Sequence, residues 1–275
     1  MRLDVSVVGA FDQSQWANLT YQFNYGHKPI SSNLDSIGES AVPASDLWWM
    51  SPPCTPFSRR GKQKDDEDNR ARSFLHLIEM MKIKRPSSIV IENVEGFIGS
   101  NVHKHLLEKL EENGYQSTEL KLCSSMFGVP MLRPRVFIVA SLDGLNPDIA
   151  PPKCIAPADL NHYLFASSSD LNCDPDMLSR YEAVLNIVDP TVPGSYLICF
   201  TSGYHRCRQA SGSLVITEKG ETRFVAPAEI LGLLGFDQKF SIPDTIPLEV
   251  AYRLAGNSVD VRAINYLLTE VLQIK

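Results

Sequence analysis

The first half of the chain alternates short apolar runs with segments of helical period. Residues 4–11 (DVSVVGAF) read as a short buried strand ending near Asp12. Trp16, Leu19 and Phe23 then fall at i, i+3 and i+7, which predicts an amphipathic helix stopped near Gly26. Residues 46–50 read as the next strand. Phe74, Leu75, Leu77, Ile78 and Met81 line one face of a second helix, and Pro86 closes that segment. Residues 88–91 form a compact strand running into Glu92-Asn93. A third helix from about 101 to 113 buries Val102, Leu106, Leu107 and Leu110, with Gly114 suited to the position just past its end. Residues 116–122 and 136–141 read as further strands. Strands alternating with helices predict an α/β fold, a doubly wound sheet with helices on both faces. Ligands of such sheets sit beyond the carboxyl ends of the strands. Asp12, Cys54 and Glu92 each lie just past a predicted strand, so the topology expects them on one rim.

From residue 143 the texture changes. Gly144, Asn146, Pro147, Pro151, Pro152 and Pro157 interrupt any long element, and 166–175 is rich in Ser, Asp, Asn and Pro. Residues 143–225 are expected to form a smaller, irregular domain. Pro227 and Gly235 bracket a short helix. A last helix, about 259–273, places Val261, Ile264, Leu268 and Leu272 on an apolar face expected to pack on the large sheet.

Hydrophobic residues make up 44% of the 275, enough for a full core. No apolar run reaches the roughly 18 residues that span a bilayer, and no membrane is expected. The first residues carry acids soon after Arg2 and are not expected to act as a signal peptide. Six scattered cysteines, with no CxxC pair, fit free thiols in a reducing cytoplasm or nucleus and no metal site. His103 and His105 are two apart on a predicted helix and read as solvated surface. The net charge of −6 argues against a general nucleic-acid coat, but leaves room for a local basic groove. Arg59-Arg60-Gly61-Lys62-Gln63-Lys64 and His205-Arg206-Cys207-Arg208 are the candidates, each otherwise an ordinary solvated loop.

The stretch Ser51-Pro52-Pro53-Cys54-Thr55-Pro56-Phe57-Ser58 places one thiol among three prolines. Most lone cysteines are small core residues. Prolines, however, remove backbone donors and fix φ, and a rigid exposed loop is what a nucleophile needs. The thiolate is the reactive form, so nearby cations would activate it. Glu92 at a strand end is either a solvated acid or a partner for a polar ring. Arg133 and Arg135, at i and i+2 of an extended segment, point the same way; they are either surface cations or two groups facing one site.

Together SPPCTPFSRRG, IENVEGF, GVPMLRPRVF and RLAGNSV resemble, in order and spacing, the C5-cytosine methyltransferase family. The likeness runs over about residues 4–275, and the motifs are specific jointly rather than singly. Cys199-Phe200-Thr201 with Gly203-Tyr204, the upstream RYEAVLNIVDP, and LGLLGFDQKFSIPD look like the branch named as DNA methyltransferase homologues but acting on tRNA. The resemblance implies a Rossmann-like catalytic domain, residues 1–142 plus 226–275, and a target-recognition domain, 143–225. It implies S-adenosyl-L-methionine as cofactor and a nucleic-acid partner, tRNA preferred over DNA, bound by a monomer. Cys54 would be the nucleophile, Glu92 would hold the N3/N4 edge of cytosine, Arg135 would contact the O2 side, and Arg133 would support it. Asp12, Asn33, Pro53, Asn257 and Ser258 would face the cofactor. Ser58, Arg59, Arg60, Thr201 and Tyr204 would face the substrate. The chain aligns from the family's second strand onward, so the catalytic domain is expected to lack the first strand and its glycine-rich loop. Two alternatives follow: a DNA (cytosine-5)-methyltransferase, which shares every catalytic motif, and a catalytically impaired nucleic-acid-binding remnant. A cysteine hydrolase is more distant, since no histidine is clearly placed to pair with Cys54.

Overall fold

The computed structural model describes residues 5–57, 65–152, 155–167, 169–206 and 211–274. In chain order its strands are β1 (Leu47–Met50), β2 (Ser88–Asn93), β3 (Gln116–Cys123), β4 (Met131–Leu132), β5 (Pro134–Ser141), β6 (Asn186–Val188), β7 (Leu197–Ile198), β8 (Ser213–Ile216) and β9 (Thr222–Phe224). The α-helices are α1 (Gln15–Tyr25), α2 (Arg72–Lys84), α3 (Asn101–Glu112), α4 (Pro175–Tyr181), α5 (Pro227–Leu233), α6 (Leu248–Asn257) and α7 (Val261–Tyr266).

The main sheet has the order β1-β2-β5-β3. β1 and β2 are parallel, while β5 runs antiparallel to both β2 and β3. Residues alternate across the pleat, so β2 and β5 each contribute to both layers of the main sheet's core. On one face Ile89, Ile91, Val136 and Ile138 meet Phe74, Ile78 and Met81 of α2 and Val102, Leu106 and Leu110 of α3. On the other, Val90, Phe137 and Val139 meet Ala263, Tyr266, Leu267 and Val271 at the C-terminus. Helices therefore cover both faces, as the alternating pattern predicts. A second core joins Met131, Leu197, Phe200, Tyr204 and Leu214 to Leu231, Leu233, Tyr252 and Ala255 of α5 and α6. Among the described residues no helix is long and apolar enough to cross a membrane.

Four expectations need correction. Residues 5–11 are extended but not a buried strand. Val5, Val7 and Val8 are 55–60% exposed, and the segment's one bridge among the described residues joins Phe11 to Ile30. Without a laddered neighbour on either side, its apolar residues stay in water. Helix α1 turns the other way from its apolar stripe: Leu19 and Phe23 are exposed, and Asn18 and Thr20 are buried. Asn18 is held there by its amide donating to the Asp12 carbonyl at 2.8 Å. His103 is buried rather than solvated, accepting from Gly99 N–H and pairing with Glu119 at 3.0 Å. The C-terminal helix buries Ala263, Tyr266, Leu267 and Val271, while Ile264 and Leu272 are only partly covered. A π-type turn over Leu267–Val271 rotates the stripe there.

Candidate active site

Topology explains why the candidate groups meet. β1 and β2 are parallel with Met50 opposite Ile91, so the loop leaving β1 starts beside Glu92 at the end of β2. β5 is antiparallel to β2, so its beginning reaches the same edge, with Val136 opposite Asn93. Arg135 sits one residue before that pair. Its Nε lies 3.1 Å from Glu92 Oε1, with both side chains largely buried.

The loop bearing Cys54 is pinned at both ends. Asn93, 1% exposed, donates its side-chain amide to the Pro52 carbonyl at 3.2 Å and accepts from Val94 N–H at 2.9 Å. Phe57 is buried edge-on against Phe97, and its N–H returns to the Cys54 carbonyl at 3.0 Å. Gly96 lies under this turn, and a Cβ there would collide with the Phe57 carbonyl. The thiol itself is exposed. Between these anchors Cys54 is held still and open, and it acts electrostatically on Arg135 and on Arg70. Arg70 was not foreseen from the sequence. Its guanidinium binds Asp68 through Nε at 2.9 Å and Nη2 at 2.6 Å.

Arg133 is a strut. It is 4% exposed. Nη1 donates to Phe200 O at 2.7 Å, and Nη2 donates to Gly256 O at 2.9 Å and Ser258 O at 2.6 Å. It thus ties the sheet edge to the segment after β7 and to the end of α6. The short β4–β7 ladder makes this possible: Leu132 pairs with Ile198, so Arg133 and Cys199 follow side by side. Gly256 completes the junction, because an added methyl would strike the backbone of Thr201 and Ser202. Burial pulls the Arg133 pKa down, yet guanidinium stays charged at any ordinary pH.

Cys199 lies where the two arginines meet. Arg133 Nη1 is 3.3 Å and Arg135 Nη2 3.7 Å from its sulfur. Burial would push this thiol up, but the two guanidiniums hold it below the ordinary value. Burial likewise opposes the charge on Arg135, and Cys199 and Glu92 overcome it, raising its pKa.

Asp12 and Asn33 lie on adjoining segments, joined by the Phe11–Ile30 bridge and by the Gln13 amide donating to Asn33 Oδ1 at 3.0 Å. Asp12 spends one carboxylate oxygen on Ser14 N–H at 2.7 Å, and Ser14 rather than Asp12 caps α1. Both residues are exposed acceptors, which suits the hydroxyls and amine of a nucleoside. Asn257 is exposed at the end of α6, and Ser258 Oγ donates back to Leu254 O at 3.0 Å. Thr201 is partly buried in a turn closed by Tyr204 N–H to its carbonyl at 3.0 Å. Tyr204 is a correction: it is 3% exposed, donates to Ser213 O at 2.5 Å and accepts from Val225 N–H at 3.0 Å. Its ring packs edge-on against Phe200, Phe224 and Tyr252. A hydroxyl used twice inside a core is not free to touch substrate. Ser58, Arg59 and Arg60, with Lys62 and Lys64, lie outside the described residues, as do Cys207 and Arg208. Among the described residues no His/Cys/Asp/Glu group could hold a metal ion.

The chain is similar to known proteins over most of its length. The profile of the family described as C-5 cytosine-specific DNA methylase matches residues 1–177. A tRNA (cytosine(38)-C(5))-methyltransferase of Spodoptera frugiperda is 28% identical, over 97% of this chain and 92% of that protein. A DNA (cytosine-5)-methyltransferase of Dictyostelium discoideum is also 28% identical, over 97% of this chain and 88% of that protein. The solved structure of the Entamoeba histolytica methyltransferase EhMeth superposes with a TM-score of 0.89 at 25% identity, covering 98% of this chain and 91% of that one.

Proposed function

The chain belongs to the C-5 cytosine-specific DNA methylase family, and from that premise we propose that it methylates C5 of cytosine in tRNA through a covalent adduct at Cys54. The observation that carries this reading is the meeting of an exposed, doubly anchored thiol with the Arg135–Glu92 pair at one sheet edge. Carbon 5 of cytosine is not nucleophilic by itself. The Cys54 thiolate bonds to C6, and the electron pair of the C5–C6 double bond moves onto the ring, so that C5 can form a new bond to carbon. Glu92 holds the N3/N4 edge and Arg135 the O2 side, so charge gained by the ring is met by fixed partners. The C5 proton then leaves to solvent, its electron pair restores the double bond, and the sulfur is expelled as thiolate.

S-adenosyl-L-methionine would supply the methyl group from its sulfonium, whose S–CH3 electron pair would return to sulfur and leave a neutral thioether. Asp12 and Asn33 fit its ribose and adenine, and Pro53, Asn257 and Ser258 fit the side nearer the thiol. The unit at 143–225 is assigned to target recognition, with Thr201 and the basic loop Ser58-Arg59-Arg60 on the substrate side. The buried target atoms of a stacked base require flipping, and a tRNA loop lowers that cost. Names of similar proteins favour tRNA; the Dictyostelium relative favours DNA as the second reading.

The test is transfer of label from S-adenosyl-L-methionine to tRNA or to duplex DNA. Label in tRNA is expected; label confined to DNA would overturn the substrate choice. Cys54→Ala is expected to abolish both transfer and the covalent complex with 5-fluorocytosine RNA. Retained activity in that variant would overturn the mechanism.

A further inference from the structure

We propose that Cys199 is held as a thiolate, the counter-ion of the buried Arg133–Arg135 pair, and so acts as a positioning residue that sets the charge felt at Cys54. The part concerning Cys54 rests on the reading of that residue as the nucleophile; the ionisation of Cys199 does not.

Arg133 and Arg135 come together on consecutive same-facing positions, and Arg133 is 4% exposed. Two guanidiniums face one carboxylate, Glu92, whose ion pair is with Arg135. Among the described residues no carboxylate pairs with Arg133; its acceptors are three neutral carbonyls, and its Nε has no hydrogen-bond partner. Asp260 lines a small cavity with both arginines, but its carboxylate is turned to Arg262, Oδ1 to Nε at 3.0 Å and Oδ2 to Nη2 at 3.1 Å. A unit of positive charge is left buried, which is costly without an anion. Among the described residues the further ionisable group in contact is the Cys199 sulfur, at 3.3 and 3.7 Å from the two guanidiniums.

Hydrogen bonding points the same way. Each arginine aims an N–H at the sulfur, so the sulfur is the acceptor. A neutral S–H would have to give its proton to Phe200 O at 3.5 Å, and that carbonyl already receives Arg133 Nη1 at 2.7 Å. Paired cations lower thiol pKa values well below about 8.5 elsewhere in proteins. The balance at Cys199 agrees: burial raises its pKa, and the two arginines more than reverse that.

The consequence is local. Cys199 and Cys54 both act electrostatically on Arg135. The thiolate at Cys199 offsets part of the field that would otherwise stabilise the Cys54 thiolate. Removing that negative charge must therefore favour the Cys54 thiolate and speed its alkylation, and a carboxylate in its place must reverse the change. A residue that only fills space would move neither.

The experiment uses the intact chain without cofactor or nucleic acid, so it reads independently of methyl transfer. The ultraviolet thiolate absorbance of Cys54→Ser minus that of the double variant Cys54→Ser with Cys199→Ser is followed over pH, so that Cys54 adds nothing to the difference. One extra thiolate in the protein that keeps Cys199 is expected at neutral pH and below; a difference arising only above about pH 8.5 would overturn the proposal. Iodoacetamide alkylation of wild type, resolved by peptide mass spectrometry, gives the Cys199 profile without any variant, and a limb at or above the ordinary thiol value would also overturn it. In Cys199→Ser the Cys54 alkylation limb is expected to move to lower pH, raising its rate about threefold or more at a pH below the limb. Cys199→Asp is expected to bring the limb back. An unmoved Cys54 limb in a folded Cys199→Ser protein would overturn the effect on Cys54.

Discussion

Arg135 reaches across from the start of β5 to place its Nε 3.1 Å from Glu92 Oε1 at the end of β2. The two groups sit at the same edge because the strands run in opposite directions. Glu92→Gln keeps the shape and removes the charge. It should lower single-turnover methyl transfer at least about 10²-fold, the range of a lost proton or charge partner. Arg135→Lys should fall by a similar factor, because an ammonium cannot present the same fork. Urea unfolding of both single variants and the double variant should give a coupling of about 1–3 kcal/mol. Additive losses would show that the pair does not act as a unit.

Gly96 is required by the Phe57 carbonyl that rests on it. Gly96→Ala should push that carbonyl away and displace the turn that carries Cys54. The expected stability loss is about 1–3 kcal/mol, as for overpacked sites. Transfer should fall much further than stability. Alkylation of Cys54 would report the displacement directly, through a changed rate in a protein that still melts cooperatively. An unchanged alkylation rate with full transfer would show that the turn tolerates the methyl group.

The sequence made Cys54, Glu92 and Arg135 legible for a physical reason. Each follows or precedes a strong apolar run, and strand ends in such a sheet gather at one rim. The cores of α2 and α3 were legible from their 3.6 period. Cys199 stood out only as part of a branch motif and not as a site group, because it reaches the site from 66 residues beyond Arg133 through a two-residue ladder. No local pattern marks so short a pairing. Helix α6 went unpredicted, although Pro247 before it and the run Leu248-Glu249-Val250-Ala251 are a start signal. Segment 5–11 and helix α1 misled for the opposite reason: their patterns are apolar, but packing leaves those residues outside. Tyr204 looked like a surface group beside Thr201, and only the folded second core reveals where its hydroxyl goes.

Glu229 holds the second core together. It is fully buried, binds Arg223 through both oxygens at 2.8 and 2.9 Å, and accepts from Ala226, Phe165 and Ala166 N–H at 2.7 Å each. Glu229→Gln leaves the Arg223 charge unmatched and should cost about 3–5 kcal/mol in urea unfolding, as for a broken buried pair. Replacing both by apolar residues, Arg223→Met with Glu229→Leu, should lose no more than the single variant in pair energy but should still free three backbone donors. A single variant as stable as wild type would show that water reaches the pair.

Tyr204→Phe separates a core role from a substrate role. The change strands Ser213 O and Val225 N–H inside the core, which should cost about 1–3 kcal/mol. The KM for nucleic acid should not move, because the hydroxyl is not presented to substrate; a raised KM with unchanged stability would return Tyr204 to the binding surface. The same residue predicts a pH effect. Burial raises the Tyr204 and Tyr252 pKa values well above the phenol range. The unfolded chain releases these protons near pH 10 while the folded chain keeps them. Below about pH 10 neither tyrosine contributes a pH dependence. Above it the unfolded state binds fewer protons, so stability falls by about 1.4 kcal/mol per pH unit for each tyrosine until the folded pKa is reached. Tyr204→Phe should remove one of these contributions. Its stability measured between pH 9 and about 11.5 should therefore decline less steeply than that of wild type, even though it starts lower, and parallel declines would refute the assignment.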